Sequence, residues 1–366
     1  MTPPVRVAVV GLGWAGREIW LSRLARHPRY RVTAVVDPAP TAQEAAAAAG
    51  PRVRVLADVG DLTAEIADLA VVAVPNHLHT PVAAGLLRRG VNVFLEKPVC
   101  LSSAEAEELA AAEREGGAVL LAGSAARHRA DVAALAAAVD REVGEVRHVE
   151  VAWVRAKGVP DTGGWFTRSS LAGGGALVDL GWHLLDTVGT LLGPVGYDEA
   201  LGTVSGDFIN AASHGTSWRG REPAGEGGGD VEDTARGFLV TPGGVSVALR
   251  ASWASHEALD TTTIRVEGSA GAVSLRCTFG FSPNRAGGSE LLLTRAGTTE
   301  PVPFDEEPIG AEYDRQLDGL PDLLADPAQR GRAVADAART IAVIERLYGS
   351  ARRARSAPAR PVAAAV

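Results

Sequence analysis

The sequence predicts an α/β protein in two parts: a doubly wound parallel sheet, then a second domain on an open, mainly antiparallel sheet. Three observations carry that reading. Short apolar runs alternate with helical stretches as far as Ala122. A glycine-rich turn joins the first run to the first helix. Beyond it, apolar and polar residues alternate at period two, the pattern of a sheet covered on one face. The expected bounds are 1–123 for the first domain, 124–350 for the second and 351–366 for a disordered tail.

The first strand, Val5 to Val10, runs into Gly11-Leu12-Gly13-Trp14-Ala15-Gly16, and a helix follows from Arg17 to Ala25. This is G-x-G-x-x-G between a strand and a helix, the setting a dinucleotide-binding turn needs. Gly11 permits the tight turn, Gly13 lets a pyrophosphate approach the backbone, and Gly16 lets helix pack on strand. Trp14 and Ala15 complete the turn and count with the cofactor contacts. The second strand, Arg31 to Val36, ends in Asp37, placed to hydrogen-bond a ribose 2′-hydroxyl. The plain alternative is a turn starter before Pro38. Its charge would repel a 2′-phosphate and no arginine follows to neutralise one, so NAD is expected in preference to NADP.

An alanine-rich helix from Thr41 to Ala49 and a short strand near Val53 to Leu56 lead on to the buried strand Leu69 to Val74. That strand breaks at Pro75-Asn76-His77-Leu78-His79. Pro75, Asn76 and His79 are candidates for the cofactor's ribose or nicotinamide edge, although histidines in such a turn are as often plain loop residues. The next strand, Val91 to Leu95, flips into Glu96-Lys97-Pro98. Ligands in such folds collect at strand carboxyl ends, where Lys97 sits. Pro98 restricts the Lys97 backbone to extended conformations. Ser102 and Glu105 read as a capping box opening a helix to Glu115, and Ala118 to Ala122 is a last parallel strand.

In the second part, Val132 to Val139 reads as a helix and Val146 to Val154 as a half-exposed antiparallel strand. Further strands are expected near Ala235–Val240, Val245–Trp253, Thr261–Glu267, Val273–Leu275 and Glu290–Thr294, with helices over a single face. Thr203 to Asp230 reads as a mobile loop, either a lid or an insertion, and Ala333 to Tyr348 as a final helix.

The second chemical stretch is Gly173-Gly174-Gly175 and the helix after it, which runs to Leu192. Helical spacing puts Asp179, His183 and Asp186 in one stripe, with Leu177, Leu184, Val188 and Leu191 mostly opposite. A solvated polar stripe is the plain alternative. Trp182 borders the stripe and suits a pocket wall. Trp165 is the other tryptophan counted with the substrate contacts. Histidine carries protons near neutral pH, and a carboxylate one turn away sets its tautomer and raises its basicity.

Composition narrows the class. The net charge of -8 argues against a nucleic-acid or anionic-membrane surface. Two cysteines, Cys100 and Cys277, are too few for a disulfide framework or a zinc cluster, so no metal is expected. No apolar run reaches the length of a membrane span, and a cytoplasmic location is expected.

With these residues in view, the chain resembles the Gfo/Idh/MocA family of glucose-fructose oxidoreductase and inositol dehydrogenase relatives. The resemblance rests on GLGWAG at Gly11 to Gly16, Asp37, Pro75-Asn76 with His79, and Glu96-Lys97-Pro98. It rests also on GGGALVDLGWHLLD at Gly173 to Asp186 and on Val231-Glu232-Asp233-Thr234. It covers Val5 to about Tyr348. One departure is Arg127-His128-Arg129-Ala130, where family members often carry an aromatic residue and a proline.

The resemblance implies a Rossmann domain, a nicotinamide at the domain interface, and dimers or tetramers through the sheet face. It implies Lys97, Asp179 and His183 as the catalytic group, with Lys97, Asp179, His183, Trp165 and Trp182 toward substrate and Glu96 and Lys97 beside the cofactor. The expected reaction is hydride transfer between NAD and a secondary hydroxyl of a sugar, cyclitol or nucleotide-sugar. His183 would take the hydroxyl proton, Lys97 would stabilise the alkoxide and Asp179 would orient His183 or the substrate. Two other outcomes stay open: an NAD-dependent glycosidase working by transient oxidation, and a cofactor-binding regulatory homologue.

Overall fold

The computed structural model describes residues 3–160, 163–216 and 228–356. β1 (Val5–Val10) lies at the centre of a six-stranded sheet, buried from Val7 to Val10. Around it run β2 (Tyr30–Val36), β3 (Arg54–Leu56), β4 (Leu69–Val72), β5 (Asn92–Leu95) and β6 (Leu120–Ala122). Their order is β3-β2-β1-β4-β5-β6, and every pairing is parallel. The order reverses between β1 and β4, so a crevice opens at their carboxyl ends, the usual ligand position in such a sheet.

The connecting helices are α1 (Ala15–Leu21, continuing through Ser22–Leu24), α2 (Ala42–Ala49), α3 (His79–Arg88) and α4 (Ser103–Gly116). α1 begins as a π-turn over Ala15–Leu21. α4 starts as its capping box predicts, with Ser102 Oγ accepting from the Glu105 N–H at 3.2 Å. Gly117 ends it in the left-handed region at φ 66.

The second sheet has eight strands. They are β7 (Val146–Val154), β8 (Glu199–Ser205), β9 (Thr234–Val240), β10 (Ser246–Ser252), β11 (Thr261–Gly268), β12 (Ala272–Cys277), β13 (Glu290–Arg295) and β14 (Thr298–Pro301). The order is β14-β13-β12-β11-β7-β10-β9-β8. β7 and β10 pair in parallel, and the other neighbours are antiparallel. β8 and β14 were not expected. β8 takes the start of the expected loop, and β14 is an exposed edge with no apolar alternation to mark it.

Helices α5 (Ala130–Ala138), α6 (Ser169–Ala172) and α7 follow, the last a π-turn over Leu177–Gly181 continued as Trp182–Leu192. α5 and α7 lie against one face of this sheet. The other face presents Leu201 and Phe238, cross-strand partners that are 60% and 45% exposed.

A further helix, α8 (Ala311–Ala325), has no counterpart in the expected elements. Its buried stripe is half polar, with Glu312 and Gln316 beside Leu317 and Leu320, and Pro321 lies within it, so the sequence does not advertise a helix. α8 returns to the first sheet, where Leu317 and Leu320 join the core of Val7, Val9, Trp20 and Phe94. The Tyr30 hydroxyl donates to the Leu317 carbonyl, and Asp318 and Asp322 pair with His27 and Arg29. The core of the first sheet is thus completed by residues far beyond position 123. α9 (Arg332–Ser356) carries the helix into the expected tail, with Ala351 buried, which corrects the tail's start. Residues 357–366, and 217–227 of the expected mobile loop, lie outside the described residues. Among the described residues no helix is long and apolar enough to cross a membrane.

Candidate active site

The three glycines of the first turn have different surroundings. Gly11 holds φ 86, and a Cβ there would stand 2.7 Å from the Ala73 carbonyl oxygen. A Cβ on Gly16 would stand 1.9 Å from the Gly11 oxygen, so helix and turn touch through bare backbone. Around Gly13 nothing lies within 4 Å of the Cβ position. That opening is what a pyrophosphate approaching the backbone needs. Asp37 is fixed beside it: Oδ2 accepts from the Leu12 N–H at 2.7 Å and Oδ1 from the Ala39 N–H at 2.8 Å. A dinucleotide fits this arrangement. Trp14, in the same turn, meets Phe281 of the second part edge-on at 5.5 Å.

Glu96 is held at the end of β5. Its Oε1 accepts from Nε1 of the fully buried Trp20 at 2.7 Å, and its Oε2 from the Lys97 N–H at 3.0 Å. Two expected cofactor contacts are corrected here. His79 is 1% exposed, with Nδ1 2.6 Å from the Pro98 oxygen and Nε2 2.9 Å from the Val74 oxygen. Both ring nitrogens face backbone carbonyl oxygens and the neutral ring donates its one N–H to one of them, so the ring is a strut between the ends of β4 and β5. Burial pushes it down to about 4. Asn76 is buried, and its Nδ2 donates to the Ala172 carbonyl at 3.0 Å, tying the β4 turn to α6. Pro75, half-buried, opens that turn.

The two parts meet at Lys97. Its ammonium stands 2.5 Å from Asp179 Oδ1, and the two side chains are 16% and 6% exposed. Nε1 of Trp253 donates to the other carboxylate oxygen, Oδ2, at 2.8 Å. The Phe166 ring lies under the ammonium, 6.0 Å from it at the centroid, and the half-buried Trp165 packs on Phe166. Asp179 therefore orients Lys97, and its charge also acts on the His183 ring.

His183, four residues on, is half-buried with its ring 5.6 Å from that of Trp153. Its ring nitrogens make no hydrogen bond among the described residues. Burial, and then the nearby Lys97 ammonium, push it down to about 3. Near neutral pH the imidazole is uncharged and has a lone pair to accept a proton. Arg155 packs on Trp153 at 5.1 Å and adds positive potential.

The expected stripe divides after His183. Asp186 turns away to Arg127 and to Ser124 Oγ, the latter at 3.4 Å. Arg129, in the segment that departs from the family pattern, pairs with Asp131 and lies over Phe279 at 4.9 Å. Trp182 is a correction: it is 4% exposed and part of the main core. α7 is enclosed by the 125–128 turn, β7, α5 and α9, which leaves its border position no cleft to face.

The segment Val231-Glu232-Asp233-Thr234 seats this helix. The Glu232 carboxylate accepts from the Gly175 N–H at 3.0 Å, the Leu177 N–H at 2.9 Å and the Tyr348 hydroxyl at 2.8 Å. The two N–H groups are orphan donors at the helix start. A Cβ on Gly175 would stand 1.8 Å from the Glu232 carbonyl oxygen, so only glycine fits. Burial pushes the Glu232 carboxyl up. Trp253, Trp153 and Phe166 were not anticipated, because each reads as an ordinary apolar residue of a strand or loop. The one available signal was that Trp153 and Trp253 fall at the ends of β7 and β10.

Residues 5–124 match the family model described as "Oxidoreductase family, NAD-binding Rossmann fold", and residues 132–274 match "GFO/IDH/MocA C-terminal domain". The chain belongs to the Gfo/Idh/MocA family. Like its relatives it is an oxidoreductase, of the dehydrogenase or ketoreductase kind, with an NAD(P)-binding Rossmann domain. It is 57% identical to the putative UDP-kanosamine synthase oxidoreductase subunit of Amycolatopsis mediterranei (strain S699), over 98% of this chain and 99% of that one. It is 31% identical to the D-glucoside 3-dehydrogenase of Escherichia coli (strain K12), over 52% of this chain and 54% of that protein. Among solved structures it resembles GenD2 from gentamicin A biosynthesis in complex with NAD, at 27% identity and a TM-score of 0.74. That match covers 97% of this chain and 96% of the other.

Proposed function

We propose that this Gfo/Idh/MocA protein transfers a hydride between NAD and the hydroxyl at position 3 of a glucose unit carried on a nucleoside diphosphate. The observation that carries the chemistry is the Lys97–Asp179 pair, set with the neutral His183 between a dinucleotide-shaped turn and the second sheet. The substrate class is supported by the names of two relatives, a UDP-kanosamine synthase subunit and a glucoside 3-dehydrogenase.

The Gly11 to Gly16 backbone would hold the pyrophosphate and Asp37 the ribose hydroxyls, with Glu96 at the nicotinamide end. When bound, the nicotinamide accepts or returns the hydride. His183 accepts the hydroxyl proton on a ring nitrogen. The Lys97 ammonium stabilises the alkoxide oxygen, and Asp179 keeps that ammonium in place. The aromatic rings of Phe166, Trp165 and Trp153 reduce access of water and offer faces for the sugar. The open sheet face with Leu201 and Phe238 supports assembly into a homodimer or homotetramer.

The test supplies UDP-glucose, dTDP-glucose, methyl glucoside and myo-inositol with NAD, and follows NADH. Deuterium placed at carbon 3 of the nucleotide-glucose is expected in the reduced cofactor. Label retained in the sugar while NADH accumulates would overturn the position. Release of the aglycone without NADH would indicate the glycosidase chemistry instead.

A further inference from the structure

We propose that Trp253 is a positioning residue for this chemistry: its indole N–H keeps Asp179 ionised and turned so that Oδ1 faces Lys97. The inference rests on the assignment of Lys97 and Asp179 to the reacting pair. Trp253 directly follows β10, is wholly buried, and has one polar atom, which it directs at Asp179 Oδ2 at 2.8 Å. Its backbone N–H donates to the Asp233 carbonyl at 2.8 Å. Asp233 adjoins Glu232, which caps the same helix, and the strands that carry them pair at Ser252 and Thr234. One strand pair thus fixes both the backbone of the Asp179 turn and the rotamer of its carboxylate. The Trp253 ring is itself braced by Phe166 at 5.9 Å.

A carboxylate only 6% exposed is drawn toward its neutral form by desolvation, and hydrogen bonds to the charged form oppose this. Among the described residues, the charged and titratable groups near Asp179 include Lys97 at the end of β5, His183 on α7 and Arg155 beyond β7. Of these, Lys97 meets Oδ1, while Oδ2 faces the indole. Without that donor Oδ2 loses a hydrogen bond that favours its charged form. Asp179 then takes up a proton at higher pH, and the carboxylate is held less firmly toward Lys97.

The experiment compares Trp253→Phe with site-specific replacement of Trp253 by 3-benzothienylalanine, which keeps the bicyclic shape and puts sulfur in place of N–H. Both are expected to lower kcat by roughly tenfold near neutral pH, the scale of one hydrogen bond to a charged group. The acid limb of the kcat profile is expected to move upward by about half to one pH unit. NAD affinity, set at the glycine turn, is expected to stay unchanged. Should Trp253→Phe fail to fold, the sulfur isostere alone decides. A folded isostere with an unmoved acid limb overturns the proposal, even if kcat falls evenly at all pH, because that is a packing loss. Asp179→Asn, measured alongside, separates the two readings. A loss of kcat there with an unmoved limb in the Trp253 variants overturns the positioning role alone. Wild-type turnover in Asp179→Asn overturns both.

Discussion

The backbone N–H of Leu12 and the carboxylate of Asp37 meet at 2.7 Å, so the proposed ribose end of the cofactor site is built onto the proposed phosphate end. A 2′-phosphate arriving there would face a carboxylate already fixed in place. NAD(H) is expected to bind at least about tenfold more tightly than NADP(H), a difference near 1.4 kcal/mol. Asp37→Ser should shrink that gap. Titration of both cofactors checks it, and equal affinities in the unaltered protein would remove the assignment.

Lys97→Ala and His183→Ala should each lower kcat by roughly a hundredfold or more, the usual scale for losing an acid-base partner. NAD affinity should change little, because the pyrophosphate is held by backbone. Single-turnover rates and cofactor titration separate the two effects. A parallel loss of NAD binding would mean that these side chains hold the cofactor and not the reacting hydroxyl.

Gly175 leaves no room for a Cβ against the Glu232 backbone. Gly175→Ala should destabilise the fold by about 1–3 kcal/mol through overpacking. It should also reduce kcat more than it raises KM, since the turn bearing Asp179 must shift. Urea denaturation and steady-state rates on one preparation check both halves.

His183 and His128 are pushed down to about 3 and about 4, in both cases chiefly by burial. Below the ordinary histidine value the unfolded chain binds protons that the native chain refuses. Their contribution to stability is therefore complete above about pH 6.5 and is lost as pH falls to about 4 for His128 and about 3 for His183, each with a slope near 1.4 kcal/mol per unit. Denaturation at several pH values should show His128→Gln to be less steeply dependent on pH between those limits. A slope equal to that of the unaltered chain would contradict the buried, neutral state of this ring.

Leu201 and Phe238 stand side by side on the open face of the second sheet. Phe238→Glu is expected to reduce the sedimenting mass to that of a smaller assembly while circular dichroism stays unchanged. An unaltered mass would locate the contact elsewhere.

The parallel sheet was legible because its strands are buried on both faces and its punctuation is strong: Gly11, Asp37, Pro75 and Pro98 each mark a strand's carboxyl end. Lys97, Asp179 and His183 were legible as residue types in a pattern. Their partners were not. Trp253 and Phe166 became neighbours of the pair only through tertiary packing, which leaves no local periodicity. His79 and Trp182 show the opposite limit. A turn histidine and a stripe-border tryptophan look exposed on a linear pattern, yet the adjacent elements closed over both. α8 was missed because its buried stripe mixes Glu312 and Gln316 with Leu317 and Leu320, and because Pro321 reads as a helix breaker.

The return of α8 to the first sheet has a consequence for how the protein is made. Val5 to Ala122 leave the ribosome long before Leu317 and Leu320 exist to cover Trp20 and Phe94. During synthesis that apolar seat stays open to water and to other chains. The cofactor domain is therefore not a module that can be excised at residue 123 and expressed alone in good order. A truncated chain ending before Ala311 would present the seat permanently, and nascent chains at this stage are the natural clients of a chaperone.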